Sequence, residues 1–232
     1  MDNIENYKGI NILSGINTYP GSGTANQHEE EYKIFKHFLS FLQNKKNPVM
    51  VELGSNWALW SLCFRKEFPN GKNILIELGK RALNVGIKNF KLNKFSEKHY
   101  WGGFFLENSG TFKNKKADLE YSKVEGEYFD DCIKGPFVGP ELNFLDIWNK
   151  EKIHKLDVLH MDIQGSEFPL IMQLRDDNKL VDINNLFIAT HSADIHNTIL
   201  KILLESHFSI IVNKPFGSVG GDGLLCATRK NP

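Results

Sequence analysis

The chain is poor in cysteine: Cys63, Cys132 and Cys226 are its only three in 232 residues. They lie far apart, are odd in number and form no C-x-x-C pair, which excludes a disulfide framework and a thiolate zinc site. Long apolar runs are missing too. No stretch can cross a bilayer, and the opening MDNIENYKG has neither the basic start nor the apolar core of a leader. Neither sign of charge is in excess, with 28 Lys and Arg against 28 Asp and Glu. That balance argues against nucleic acid or an acidic membrane as partner and for a small molecule. The expectation is a reduced, cytoplasmic protein without a membrane span.

Glycine is also scarce where a dinucleotide would need it. Pro48–Ser61 reads PVMVELGSNWALWS, a short apolar strand running into a segment with Trp57, Leu59, Trp60, Leu62 and Phe64 at helix-compatible positions. The turn between them offers one glycine and an acid, not the G-x-G-x-x-G cradle that receives a pyrophosphate. Glu52, Gly54, Ser55 and Asn56 suit a ligand with an amino group, a sulfonium and a ribose, and S-adenosylmethionine is such a ligand. Asn73–Glu77 gives a second buried strand ending in an acid. Glu77 stands where a doubly wound sheet places the carboxylate that accepts hydrogen bonds from ribose hydroxyls.

The remaining pattern is that of a Rossmann-like α/β sheet. An amphipathic helix runs from Gln27 to about Leu42 behind a loop or arm containing INTYPGSGTAN, so residues 1–47 read as an arm and a covering helix. Tyr19, in that arm, is a candidate acceptor contact if the arm closes as a lid. Residues 48–232 form the main domain, one compact unit with the first segment. A helix at Lys80–Asn93 precedes a third strand, His99–Leu106, whose Trp101 and Gly102 flank the place for an adenine. Residues 107–143 are polar and rich in glycine and lysine. A helix starts near Phe144, a fourth strand covers Leu156–Asp162, and Ser166 is a suitable cap for the helix after it. A fifth strand, Leu186–Thr190, ends at His191-Ser192. Strands at Phe208–Asn213 and Gly223–Thr228, joined by a Pro/Gly-rich loop, should pair antiparallel at the sheet's edge. That makes seven mostly parallel strands with helices on both faces.

VELGSNWALWS resembles the glycine motif of class I S-adenosylmethionine-dependent methyltransferases, and LDVLHMDIQGSEFPLI is similar to the fourth-strand signature of their FkbM family. ILIELG, FLDIW, IATHSADIHNTIL and DGLLCATRK follow that family's order, so the resemblance spans roughly Pro48 to Lys230. It departs at Gly79-Lys80, at Gln164 and at Thr190. The resemblance implies O-methylation of a sugar or related precursor of a bacterial surface polysaccharide such as capsule. N-methylation or phosphoryl-oxygen methylation lies in the same class, and a nucleotide-binding oxidoreductase on a similar sheet is the alternative.

For transfer to a hydroxyl the protein must align the acceptor and help remove a proton. Asp162 and His191 end neighbouring strands in the inferred order. His191 is the candidate base; Asp162 orients it or grips the acceptor, and is also a candidate cofactor contact. Gln164, Glu167 and Ser192 are the further candidate acceptor contacts. A divalent metal ion on Asp162, His191 and another oxygen ligand is a second arrangement open to these residues.

Overall fold

The computed structural model describes residues 4–13, 24–104, 140–219 and 221–230. The first element is a hairpin, β1 (Ile4–Tyr7) and β2 (Ile10–Leu13). Its turn residues Lys8 and Gly9 have φ of 52° and 77°, the two left-handed positions of a tight turn that matches strand twist. The sequence reading took this stretch for irregular arm; Ile10 and Ile12 instead alternate into the core, 1% and 0% exposed. Helix α1 (Thr24–Leu39), continued by a 3-10 turn at Ser40–Leu42, follows as the spacing of Phe35, Phe38, Leu39 and Leu42 requires. Tyr19 lies outside the described residues.

The main sheet comprises β3 (Val49–Leu53), β4 (Lys72–Glu77), β5 (Lys98–Trp101), β6 (Val158–Met161), β7 (Asn185–Thr190), β8 (Phe208–Val219) and β9 (Asp222–Arg229). Their order across the sheet is β5-β4-β3-β6-β7-β9-β8. β9 runs antiparallel to both β7 and β8, while the first five strands are parallel to one another. The expected terminal antiparallel pair is present, with β9 inserted between β7 and β8. The segment read as a Pro/Gly-rich loop is strand: β8 runs on through Pro215 to Val219, irregularly registered, on an edge where proline costs no ladder bond. The third strand is shorter than expected, ending at Trp101, and Phe104 turns into the core against Phe144.

Helices α2 (Leu59–Glu67) and α3 (Lys80–Leu92) join α1 and the hairpin on one face of the sheet; α4 (Phe144–Lys150), α5 (Glu167–Asp176) and α6 (Ala193–Glu205) contribute to the other. Alternation along β3 divides its side chains accordingly. Val51 and Leu53 join the α4–α6 core, whereas Met50 joins the α1–α3 core. All five parallel strands end on one edge, so Gly54, Glu77, Trp101, Asp162 and His191 are brought together by topology, at the edge where open α/β sheets bind ligands. Among the described residues no helix is long and apolar enough to cross a membrane.

Candidate active site

The edge is stitched by backbone bonds before any side chain acts. The amides of Gly54 and Ser55 both donate to the Ile76 carbonyl, at 2.9 and 3.0 Å, and Asp162 N donates to the Leu53 carbonyl at 3.0 Å. Gly54 has φ +73°, and a β-carbon there would lie 1.8 Å from the Asp162 carbonyl oxygen. Only glycine lets the first turn pass so close to the end of β6. Asn56 and Ala58 continue the turn in left-handed conformations, φ 44° and 69°.

Glu77 holds this turn. One of its oxygens accepts from Asn56 N and the other from Gly79 N, both at 2.7 Å. Burial raises its pKa, against the pull of those two N–H groups; the charge of Asp162 adds to the rise. A carboxylate has about four lone-pair sites, so two backbone donors leave capacity for two hydroxyls. Trp101 is opposite Glu77 in the β4–β5 register, 36% exposed, its indole N–H donating to the Leu78 carbonyl and the Lys80 ammonium 4.4 Å from its ring centre. Gly102 donates to the Glu77 carbonyl, and a side chain there would strike Pro140 and Leu142. Ser55 Oγ is buried without a hydrogen-bond partner. A carboxylate with spare acceptor capacity and a half-open indole are groups whose chemistry suits the sugar and base of a nucleoside.

Glu52 is placed differently from the sequence expectation. It is 1% exposed beneath the turn, where it accepts from Ser61 N at 3.0 Å. Ala58 gives α2 no side-chain cap, and Glu52 serves the helix's open N–H end from the strand below. Burial pushes its pKa up to about 8. It is a structural carboxyl supporting the turn and not a contact surface for a ligand.

On the other side of β3, His191 sits among three carboxylates. Its Nδ1 is 2.8 Å from Glu167 Oε1, and its Nε2 is 3.2 Å from Asp162 Oδ1 and 3.8 Å from Asp222 Oδ1. Burial alone would strip the charge from His191, but the negative charge of Glu167 and the hydrogen bonds to Asp162 and Glu167 hold its pKa well above the ordinary value. Burial likewise works to raise Asp162; its bond to His191 and the imidazole's charge outweigh that and keep it low. The side chain of Asp162 is 41% exposed and that of His191 only 9%, so Asp162 forms the rim and His191 the floor.

Gln164, at φ +52°, turns its amide nitrogen to within 3.3 Å of Asp162 Oδ1 and 3.0 Å of His191 Nε2. The amide donates to an unprotonated Nε2, and a half-turn presents its oxygen to a protonated one, so it serves both states of the ring. Glu167, expected as an acceptor contact, is 0% exposed; its oxygens accept from Ile163 N and Gly165 N besides His191. It fixes the imidazole from behind. The Ser192 hydroxyl, part-buried, caps α6 by accepting from Ile195 N. Thr190 bonds His196, which bonds Asn213, and so belongs to the buried frame of β7. Asp222 was not named as a site residue from the sequence, although it opens the DGLLCATRK motif. Among the described residues no group of three or more His, Cys, Asp or Glu is arranged to hold a metal ion; Asp162 and His191 are in direct contact.

Of the other histidines, His160 is 2% exposed and stacked on Phe187, and burial lowers its pKa to about 4. It stays neutral within the core. A cleft of about 450 Å³ lies at the opposite edge of the sheet, lined by Lys36, Lys45, Lys46 and Glu67 among others. Its Lys36 and Lys45 are paired with Glu67 and Asp157, and none of the residues above lines it.

No family model and no curated protein matches the sequence. The fold does match solved structures. The METTL16 methyltransferase domain aligns with 90% of this chain and 69% of its own at 9% identity and a TM-score of 0.56. An O-methyltransferase from Bacillus cereus in complex with S-adenosylhomocysteine aligns over 88% of this chain and 91% of its own at 12% identity and 0.52. A tRNA (uracil-54, C5)-methyltransferase from Pyrococcus abyssi, also with S-adenosylhomocysteine, covers 98% of this chain and 44% of its own at 9% identity and 0.54. The fold is therefore the Rossmann-like sheet found in S-adenosylmethionine-dependent methyltransferases.

Proposed function

We propose that this chain is an S-adenosylmethionine-dependent methyltransferase that methylates a hydroxyl of a small acceptor, a sugar or related precursor of a bacterial surface polysaccharide, as its FkbM-like motifs imply. The observation that carries the reading is the meeting, at one sheet edge, of the Gly54 turn and Glu77 on one side of β3 with the Asp162–His191–Glu167 chain on the other. The fold does not choose among acceptors, since its solved neighbours include an O-methyltransferase and a tRNA methyltransferase. The neutral overall charge favours a small acceptor over a polyanion.

When bound, S-adenosylmethionine supplies a methyl group already activated by its sulfonium. Glu77 accepts hydrogen bonds from the ribose hydroxyls, Gly54, Ser55 and Asn56 line the path beside it, and Trp101 and Gly102 flank the base. Asp162 faces the acceptor from the rim. His191 removes the hydroxyl proton at Nε2, while Glu167 holds Nδ1–H and stabilises the imidazolium that forms. Because that cation is favoured, His191 is a strong base available only once the pH exceeds its raised pKa.

Isothermal titration with S-adenosylhomocysteine and with NAD tests the class. Incubation with methyl-labelled cofactor and a panel of nucleotide-activated sugars, surface-polysaccharide precursors and RNA then tests the acceptor. S-adenosylhomocysteine binding with label in the sugar fraction supports the reading. NAD binding alone overturns the class, and label in RNA overturns the acceptor.

A further inference from the structure

The N-terminal hairpin is hydrogen-bonded to the cofactor turn through one buried side chain, Asn89, and touches it through Tyr7. β2 lies along α3, and the two meet by a match of repeats: residues two apart on a strand and four apart on a helix are each separated by roughly 6–7 Å. Asn93 takes both backbone polar groups of Asn11, its Oδ1 accepting from Asn11 N at 2.9 Å and its Nδ2 donating to the Asn11 carbonyl at 2.7 Å. One helical turn earlier, Asn89 Oδ1 accepts from Leu13 N at 2.9 Å. The other end of that same amide, Nδ2, donates to the Trp57 carbonyl at 3.1 Å. Asn89 is 0% exposed.

The Asn56–Ala58 segment that Asn89 grips runs through two left-handed non-glycine residues, a conformation that persists only where its surroundings enforce it. Besides Glu77, which holds Asn56 N, those surroundings come from α3 and the hairpin. A β-carbon on Gly86 of α3 would lie 3.1 to 3.4 Å from Ala58, Asn56 and Trp57, and the Tyr7 ring meets Trp57 edge-on at 6.3 Å.

We propose that Asn89 is a positioning residue for the cofactor site, and that the hairpin, without touching the cofactor, sets its affinity by holding the Ser55–Ala58 turn through Asn89. The proposal rests on the methyltransferase reading for the identity of the ligand, but the coupling itself is a property of the free protein.

Two variants cut the link on either side. Asn89→Asp keeps the acceptor for Leu13 N and replaces the donor to Trp57 by a repelling oxygen. Leu13→Pro removes the hairpin's donor while leaving Asn89 intact, and its neighbour Ile12 is already extended strand, as a residue before proline should be. Hydrogen exchange and melting temperature are measured on the free proteins, and S-adenosylhomocysteine affinity by calorimetry. The expected result is faster exchange at the Asn56 and Ala58 amides in both variants, with affinity lowered about tenfold in Asn89→Asp and less in Leu13→Pro. Unchanged exchange at those two amides in the folded variants overturns the coupling, whether or not the wild type binds S-adenosylhomocysteine. Faster exchange with affinity within twofold of wild type overturns the positioning role. Absence of binding by the wild type, with the exchange response present, instead counts against the methyltransferase reading and leaves the coupling supported.

Discussion

Glu77 and Asp162 both lie at the carboxyl edge, on opposite sides of β3, yet they are held in opposite ways. Glu77 is 8% exposed and satisfied by backbone N–H groups, Asn56 on one oxygen and Gly79 on the other. The Asp162 side chain is 41% exposed and held by side chains, His191 and Gln164. The first half of the edge is therefore fixed with the fold, because moving Glu77 means breaking the turns themselves. The second can exchange partners without disturbing a strand. That division suits a site with one invariant ligand and one variable one, as the proposed function requires: backbone geometry would define the cofactor half, and interchangeable side chains the acceptor half.

Gly54 joins the two halves, and breaking that joint is the largest effect expected. Gly54→Ala forces a β-carbon into the Asp162 carbonyl, a displacement expected to cost on the order of 4 kcal/mol and to lower the melting temperature by about 10 °C. Thermal unfolding checks it, and a melting temperature within a degree or two of wild type would mean that β3 and β6 are less closely apposed.

Separating the halves comes next. His191→Ala should lower kcat by roughly 10²–10⁴-fold with S-adenosylhomocysteine affinity retained, because only the acceptor half is touched. Glu77→Ala should do the reverse, weakening S-adenosylhomocysteine binding by on the order of 2–4 kcal/mol as hydrogen bonds to a charged acceptor are lost. If calorimetry on the two variants gave the same loss, the partition drawn here would fail.

The smallest effect is the pH dependence. His191, whose pKa is higher folded than unfolded, contributes stability that is complete below about pH 6.5 and is lost as pH rises through its raised value. Glu52, raised by burial to about 8, resists ionisation in the folded state and so also lowers stability as pH climbs from the ordinary carboxyl range toward that value. Melting temperature should therefore decline as pH rises from about 6.5 toward about 8, and Glu52→Gln should flatten that decline. Activity should move the opposite way, with the ascending limb of kcat lying above pH 6.5, because His191 must lose its proton to act.

The two halves also differed in how plainly the sequence announced them. The strand-turn-helix at Gly54, the acid at Glu77 and the pairing of Asp162 with His191 were legible because each is a local pattern placed by the topology of a parallel sheet. Glu52 and Glu167 were not, since a buried carboxyl that caps a helix or orients a ring looks the same in sequence as one that faces a ligand. Asp222 was missed because its approach depends on β9 inserting beside β7. The hairpin at Ile4–Leu13 did carry a signal, Ile10 and Ile12 alternating after Lys8-Gly9, but the glycine- and proline-rich stretch that follows it drew the whole segment into a loop reading. Asn89 gave no sign, because its role lies entirely in contacts far away in sequence.

The most direct test of the account is calorimetric titration of the wild-type protein with S-adenosylhomocysteine against NAD. Saturable, one-to-one binding of S-adenosylhomocysteine that Glu77→Ala weakens, with no heat from NAD, is the predicted result. Binding of NAD without S-adenosylhomocysteine would contradict it.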